Sequence, residues 1–276
     1  MRMRSVTTTA TVLAGLAAAL LLGPGAGGPA SAAPAPAVVD RTLSDTRIVE
    51  SSSLVKSAVT TGMLWTSNDS GGGPVLYAIG ANGSTLATYT VQNASAHDWE
   101  GMAAASSGST HYIYIGDIGD NGKKRTTIAV HRVVEPTPVK NGTLTATTFT
   151  FRYPDGPHNA ETLLVNPATL RIYIVTKDPK GGVIYAAPTS LSTTGVNTLT
   201  RVGTAPVTIS DGAFLDGTRL VLRGYERAYL YAKMGATPVT FGMPQPGESI
   251  CPGFAAGTVY TGEEGVRSKV WRVTLP

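Results

Sequence analysis

Short apolar runs that end in polar or acidic residues recur along the chain. Five of these runs alternate apolar and polar positions, a period of two that is typical of β-strands with one buried face. They are LWTSND at 64–69, YIYIGD at 112–117, IYIVTKD at 172–178, VLRGYE at 221–226 and VYTGEE at 259–264. Gly or polar turn residues follow each run, and a second apolar run comes next. The pattern therefore predicts a series of antiparallel strand pairs.

Each strand pair is preceded by an acidic residue at the start of another short apolar segment. In HDWEGMA (97–103) and HNAETLL (158–164) a His also stands three residues before the Glu. The acids are Glu50, which fits loosely, and then Glu100, Glu161, Asp211 and Glu248. Successive acids are 50, 61, 50 and 37 residues apart, close to the roughly 40–50 residues of common propeller blades. The acids therefore mark a structural repeat.

This repeat predicts an all-β fold, a β-propeller of four-stranded blades, with five blades favoured and six possible. A TIM barrel is disfavoured because no stretch after residue 33 has the apolar spacing of its obligatory helices. A β-sandwich stays possible, but it gives no reason for a repeated acid. The last run, KVWRVTL at 269–275, needs an outer partner, and a segment around 40–48 could pair with it and close the ring.

The first 32 residues are typical of a signal peptide. Arg2 and Arg4 precede the apolar run TVLAGLAAALLLG at 11–23, and Ala30-Ser31-Ala32 fits a cleavage site. The apolar run is too short for a stable membrane anchor. We therefore expect export by the general secretory route, an extracellular location and no membrane span after signal removal. Residues 33–46 would form a leader with a possible ring-closing strand, and 47–276 a single propeller domain.

Charge and cysteine content narrow the class of partner. Charged residues are 14% of the chain and the formal net charge is +4. Without the two arginines of the signal peptide the charge is about +2, too small to attract nucleic acid strongly. Cys251 is the only cysteine, which excludes an intramolecular disulfide. We expect a monomer with no nucleic-acid partner.

The propeller topology predicts where the acids meet. The innermost strand of a blade runs along the central channel and the next strand returns, so the start of one and the end of the other share a channel mouth. The predicted neighbours are Glu100 and Asp117, Glu161 and Asp178, Glu248 and Glu263, Glu50 and Asp69, and Asp211 and Arg223.

Carboxylates gathered at a channel mouth repel one another, so a cation, a basic side chain or protons must neutralise them. Oxygen ligands suit Ca²⁺ or another divalent cation, and the Gly-rich turn DIGDNG at 117–122 adds a further acid. The candidate metal ligands are Asp69, Glu100, Asp117, Asp120, Glu161, Asp178, Asp211, Glu248 and Glu263. The alternative is that each acid holds a turn by accepting backbone N–H bonds.

Three basic or titratable residues are candidates for ligand binding. Arg223 stands where the repeat would place an acid, and a guanidinium can grip a carboxylate or phosphate with two parallel hydrogen bonds. It could instead neutralise Asp211. His97 and His158 stand beside the repeated acids and could contact the same small polar or anionic ligand, or simply orient turns.

Four segments carry a family resemblance: NDSGGGPVLYAI (68–79), DWEGMA (98–103), YIGDIGDN (114–121) and YPDGPHNAETLLV (153–165). They resemble secreted actinobacterial propellers of the phytase-like or WD40-like kind. Propeller phytases have six blades and an acidic, Ca²⁺-rich channel that hydrolyses phosphomonoesters, so the resemblance implies metals that hold phosphate and activate water. The sequence departs in apparent blade number and lacks a dense Lys/Arg cradle for phosphate.

Two function classes follow. The first is a secreted propeller that binds a divalent cation and a small polar ligand at its acidic channel mouth. The alternative is a cation-dependent hydrolase of phosphate or carboxylic esters. A serine hydrolase is disfavoured because no G-x-S-x-G motif occurs in the chain.

Overall fold

The computed structural model describes residues 36–276, and the predicted signal peptide lies outside the described residues. The described chain is entirely β-structure and turns, arranged as five blades of antiparallel strands around a channel. The predicted all-β propeller is therefore confirmed, with five blades. Residues 36–276 contain no helix that could cross a membrane.

The blades follow one another along the chain, each numbered here from its inner strand outward. Blade 1 contains β2 (Ser53–Lys56), β3 (Leu64–Ser67), β4 (Val75–Ile79) and β5 (Thr85–Gln92). Blade 2 contains β6 (Trp99–Ser107), β7 (Thr110–Asp117), β8 (Ile128–Val134) and β10 (Thr147–Arg152). Blade 3 contains β11 (Ala160–Val165), β12 (Ile172–Thr176), β13 (Gly182–Ala186) and β15 (Thr200–Ala205).

The last two blades complete the ring. Blade 4 contains β16 (Ile209–Phe214), β17 (Leu220–Gly224), β18 (Arg227–Tyr231) and β19 (Val239–Gly242). Blade 5 contains β20 (Ser249–Pro252), β21 (Thr258–Gly262), β22 (Lys269–Thr274) and β1 (Ala37–Thr42). The inner strands β2, β6, β11, β16 and β20 contact one another in that cyclic order, and β20 contacts β2.

Ring closure comes from the amino-terminal side of the chain. β1 pairs antiparallel with β22, so the last apolar run has its outer partner slightly earlier than the 40–48 segment. The pairing register shifts between Val39 and Arg41. The Arg41 guanidinium is buried and donates to the carbonyl oxygens of Gly62 at 2.7 Å and Gly80 at 2.9 Å. The closing strand is thereby tied to blade 1 as well as to blade 5.

Two short strands extend the sheets beyond four strands. β9 (Gly142–Thr145) lies parallel to β5 of blade 1, and β14 (Val196–Thr198) lies parallel to β10 of blade 2. Each belongs to a loop of the following blade and reaches back to its neighbour. Both are mostly exposed and lack an apolar alternation, so the hydrophobic pattern does not predict them.

Large side chains fill the space between the blades. Trp65, Trp99, Phe151 and Tyr185 are all less than 2% exposed. The Trp99 indole nitrogen also donates to the Ser95 carbonyl oxygen at 2.6 Å. Burial of such rings contributes much of the packing energy between blades, and it holds each inner strand in position.

β-Bulges at the starts of the inner strands decide which side chains reach the channel. In blades 2, 3 and 4 one extra residue stands before the paired positions Gly101, Thr162 and Asp211. An extra residue on one strand breaks the regular pairing and redirects its side chain. The extra residues are Glu100, Glu161 and Ser210. The corresponding residues before β2 and β20 are Ser52 and Glu248.

Candidate functional site

Three glutamates from three different blades meet in the channel. Carboxylate oxygens of Glu100, Glu161 and Glu248 all lie within 4.8 Å of one another, a spacing that could hold a metal ion. We call these residues the three-glutamate cluster. Ser52 and Ser210 occupy the corresponding positions of blades 1 and 4. The five blades therefore place three acids and two hydroxyls at this position.

A second acidic group shares one member with this cluster. Asp69, Asp98 and Glu100 also bring carboxylate oxygens within 4.8 Å of one another. Asp98 was not predicted as a ligand, although it stands two residues before Glu100 in DWE. Gly119 leaves room for it, because a Cβ at Gly119 would overlap the Asp98 carboxyl group.

Glu100 is the buried acid that links the two groups. It is 5% exposed, and no hydrogen bond or ion pair to its carboxylate occurs among residues 36–276. Burial, followed by the charges of Glu161 and Asp98, raises the pKa of Glu100 to about 10. A carboxylate without a donor in such a place takes up a proton or a cation.

Glu161 has basic and amide partners that Glu100 lacks. Lys177 Nζ lies 2.8 Å from Glu161 Oε2, and Asn159 Nδ2 donates to Oε1 at 2.9 Å. Burial still leaves the pKa of Glu161 raised, with these contacts opposing the shift. The Lys177 ammonium also lies 4.9 Å from the centre of the Tyr225 ring. Among residues 36–276, Lys177 is the one basic side chain within ion-pair distance of the three-glutamate cluster, which leaves the cluster short of positive charge.

Further acids stand at the same channel mouth. Glu50 and Asp69 share a hydrogen bond, as predicted neighbours, and this bond is the main cause that raises the pKa of Glu50. Glu264 is an exposed residue overall, but partial desolvation of its carboxyl group, followed by the charges of Glu248 and Asp69, raises its pKa to about 7. The crowding of carboxylates therefore extends from the cluster to its edge.

Asp117 and Asp120 are occupied by protein donors. Asp117 is fully buried, and its oxygens lie 2.8 Å from Arg125 Nη1 and 2.5 Å from the Ser95 hydroxyl. Burial alone would raise the pKa of Asp117, but the bonds from Ser95 and Arg125 lower it. Asp120 accepts the Arg125 backbone N–H at 2.7 Å. Both predicted metal ligands therefore hold the 117–125 loop together and lie outside the acidic groups that could bind metal.

Asp178 and Glu263 also lie outside those groups. Asp178 is two residues beyond Thr176, and Thr176 is the residue that pairs with Ala160 as Asp117 pairs with Trp99. The Asp178 carboxylate instead lies 3.3 Å from Lys123 Nζ. Glu263 accepts the Trp271 indole N–H at 2.9 Å. The expected closeness of Asp178 to Glu161 came from an alignment that is two residues out of register.

Asp211 and Arg223 are directly opposite on β16 and β17, as predicted, yet form no ion pair. Asp211 Oδ2 accepts the Ile250 N–H at 2.8 Å. The Arg223 guanidinium donates to the carbonyl oxygens of Gly247 at 3.0 Å and Gln245 at 3.1 Å. Burial raises the pKa of Asp211 well above its usual value and lowers that of Arg223 to about 10. Both side chains lie within the protein, one residue past the bulge.

The two histidines stand apart from the three-glutamate cluster. The His97 side chain is 73% exposed, and its Nδ1 is 3.5 Å from Asp117. His158 Nε2 is 3.0 Å from Asp155 Oδ1, and its ring packs edge-on against Tyr153. Their roles in ligand binding stay predictions, and neither is among the acidic groups that could hold metal.

No protein-family model matches the chain, and no curated protein matches it in sequence. Solved structures with similar folds include a gluconolactonase from Xanthomonas campestris, which is 13% identical in sequence. The match covers 88% of this chain and 99% of that chain, and its TM-score is 0.45.

Two further propellers are similar at the same level. The β-propeller domain of Cps50 from Myceliophteria thermophila has 10% identity, covers 87% of this chain and 100% of that chain, and has a TM-score of 0.47. A putative gluconolactonase has 10% identity, 87% and 92% coverage, and a TM-score of 0.46. These neighbours are gluconolactonase-like and WD40-like propellers. At such TM-scores they carry no conclusion about function, and the phytase-like resemblance stays a prediction.

Proposed function

We propose that the protein binds one divalent cation at the three-glutamate cluster and, through that cation, a small polar ligand at the channel mouth. One observation supports this most directly: Glu100 is buried, has no protein donor among residues 36–276, and lies within 4.8 Å of two further carboxylates. A divalent cation would offset the repulsion among the three carboxylates with an attraction to each of them. Carboxylate oxygens are the ligands that Ca²⁺ prefers, and its flexible coordination suits side chains from separate blades.

The acids around the cluster extend the same site. Asp69 and Asp98 share Glu100 with it, so they could complete the coordination directly or through water. Asp98 is half-buried and its pKa is raised, first by burial and then by the charge of Asp69. A nearby cation would stabilise the carboxylates of Asp69 and Asp98 for the same reason as it would stabilise that of Glu100. The site therefore combines buried carboxylates with more accessible ones that face incoming ligand.

The second candidate is a cation-dependent hydrolase of esters. The observation that favours it is the pairing of Lys177 with Glu161 at the edge of the cluster, 2.8 Å apart. A cation can polarise an ester or phosphoryl oxygen and activate water. Lys177 could then stabilise the negative charge that develops on that oxygen.

Calcium titration tests the binding proposal. The protein is stripped with EDTA, and Ca²⁺, Mg²⁺ and Mn²⁺ are added separately while heat of binding and melting temperature are measured. We expect Ca²⁺ to bind with a stoichiometry of one and to raise the melting temperature, because a ligand that binds only the folded state stabilises it. Absence of both heat and thermal shift with all three ions would overturn the proposal.

Asp178 provides a matched control for the cluster. Glu100→Gln should abolish Ca²⁺ binding, since it removes the shared carboxylate. Asp178→Asn also removes one acid, but Asp178 lies outside the candidate metal groups, so Ca²⁺ affinity should stay unchanged. A loss of affinity in both variants would point to general surface charge. A screen of phosphomonoesters, carboxylic esters and lactones with and without Ca²⁺ then decides between ligand binding and hydrolysis.

Export belongs to the same proposal. The features that support it are the charged start, the apolar run and the small-residue site within residues 1–32. An extracellular location would expose the cluster to Ca²⁺ at concentrations that even a weak site can use, since extracellular modules bind Ca²⁺ with dissociation constants of about 10⁻⁴–10⁻³ M. Expression of the full chain with detection of a mature protein starting near residue 33 in the medium tests it.

A further inference from the structure

A second cavity lies away from the channel mouth. It has a volume of about 650 Å³ and is formed between blades 2 and 3. Blade 3 contributes the 169–173 segment, which follows the far end of β11, whereas Glu161 stands at the start of β11. The cavity is therefore separate from the three-glutamate cluster. Its lining includes two arginines and no acidic residue.

Arg132 is held in the cavity by aromatic rings. Its guanidinium carbon lies 4.7 Å from the centre of the Tyr112 ring and 5.3 Å from that of Phe149. Stacking of this kind is favourable for a guanidinium and leaves its N–H donors free at the edges of the plane. Arg132 is only half-buried, and it lines the cavity beside Tyr114. The rings therefore fix the direction of the group in advance of binding.

Arg171 is the second fixed cation. Its guanidinium carbon lies 5.6 Å from the centre of the Tyr173 ring, and its Nε donates to the Ala187 carbonyl oxygen at 3.2 Å. Neither Arg171 nor Arg132 forms an ion pair with a carboxylate in the described part of the chain. Two oriented positive charges thus line one cavity without a counter-charge from the protein.

We propose that this cavity, which we call the two-arginine cavity, binds the phosphate group of a small phosphate monoester. A phosphate monoester carries close to two negative charges at neutral pH, as a phosphorylated side chain does, which matches the two guanidinium groups. Each guanidinium can give two parallel hydrogen bonds to a phosphate. The hydroxyls of Thr169, Thr189 and Thr193 line the same cavity and can bind the polar remainder of the ligand.

The fixed arginines also explain why a phosphate group should bind measurably. Ordering a long side chain on binding costs conformational entropy. The stacked rings at Arg132, and the ring together with the carbonyl contact at Arg171, have already imposed that order. An exposed arginine without such contacts has no comparable advantage. Arg227 on β18 is such a residue and provides the control.

Isothermal titration of the full chain in EDTA tests the proposal, because EDTA keeps the three-glutamate cluster free of divalent metal. The titrants are inorganic phosphate, glucose 6-phosphate, sulfate and acetate. Phosphate and glucose 6-phosphate should bind, and acetate should bind at least tenfold more weakly, because acetate has one negative charge and two acceptor oxygens against the nearly two charges and three oxygens of a phosphate monoester. Stronger binding of glucose 6-phosphate than of free phosphate identifies a monoester site. Equal binding of acetate and phosphate, or no heat with either phosphate compound, would overturn the proposal.

Three variants separate a phosphate site from simple packing of arginine on aromatic rings. Arg132→Gln and Arg171→Gln should each weaken phosphate binding at least tenfold, while Arg227→Gln leaves it unchanged. Arg132→Lys keeps the charge but loses the paired donors, so its affinity should fall between those of the wild type and Arg132→Gln. Unchanged affinity in both glutamine variants, with circular dichroism showing an intact fold, would assign the arginines to packing alone.

Discussion

Two buried carboxylates of blade 2 show opposite behaviour although they belong to paired strands. Asp117, at the end of β7, is fully buried and has a lowered pKa. Glu100, in the bulge of β6, is 5% exposed and has a raised pKa. The difference lies in their donors: Arg125 and Ser95 serve Asp117, whereas Glu100 has none among residues 36–276. Burial alone therefore does not decide the direction of the pKa shift; in this pair the hydrogen-bond donors decide it.

The largest expected effect comes from removing the satisfied acid. Asp117→Asn should destabilise the fold by about 3 kcal/mol, because it breaks a buried ion pair and leaves Arg125 without its counter-charge. Urea unfolding monitored by Trp fluorescence measures the change. A variant as stable as the wild type would mean that the hydrogen bonds of the loop, rather than the charge of Asp117, hold this part of blade 2.

Arg223→Lys should cost about 2 kcal/mol, since a lysine cannot reproduce the buried bonds to the Gly247 and Gln245 carbonyl oxygens. The same variant should leave Ca²⁺ affinity unchanged if Arg223 has only a structural role. A stable Arg223→Lys variant with weakened binding of an anionic ligand would instead restore Arg223 as a ligand-binding residue.

Glu100→Gln should stabilise the metal-free protein by about 1 kcal/mol at neutral pH, because Gln is neutral in both states whereas Glu100, with its raised pKa, must take up a proton on folding. With saturating Ca²⁺ the order should reverse, since only the wild type gains from binding. Melting curves in EDTA and in Ca²⁺ provide the measurement. A metal-free variant less stable than the wild type would show that the carboxylate is already neutralised within the protein.

The two acids should also respond to pH with opposite signs. Because the folded pKa of Glu100 is raised, its contribution is fully present below the unfolded value of about 4.5 and is lost as the pH rises toward the folded value of about 10. Because the folded pKa of Asp117 is lowered, its contribution is lost as the pH falls below about 3.8. Melting temperatures of the metal-free wild type and the Glu100→Gln variant, compared between pH 5 and pH 9, should converge at the acidic end.

The smallest effect is expected at the exposed acid. Asp178→Asn should leave the urea midpoint of unfolding unchanged within error, because its carboxylate is solvent-accessible and its contact with Lys123 is a surface one. A double-mutant cycle with Lys123→Met measures the pair directly. A coupling well outside the error of the measurement would place Asp178 among the structurally important acids, beside Asp117.

The repeated strand pattern was enough to predict the all-β propeller and the likeness between its blades. It also singled out Glu100, Glu161 and Glu248, because each stands at the start of an inner strand. It did not predict pairing register. Asp178 was aligned two residues too far along, and Asp211 follows the bulge position that Ser210 occupies. Bulges depend on contacts between strands distant in sequence, and a period of two contains no signal for one extra residue.

The strands β9 and β14 make the connections between neighbouring blades unequal around the ring. Each carries backbone bonds from one blade to the outer edge of the blade before it, so blades 1, 2 and 3 are joined at the periphery as well as at the channel. Blades 4 and 5 lack such a bridging strand in the described residues. Strand pairing therefore joins blades 1 to 3 at the periphery, and the Arg41 bonds join blade 5 to blade 1, whereas blade 4 has no bridging strand among residues 36–276. Glu100 and Glu161 belong to blades that are joined by strand pairing, whereas Glu248 stands at the start of blade 5. Movement of blade 5 relative to blades 2 and 3 would therefore change the distances between the three carboxylates.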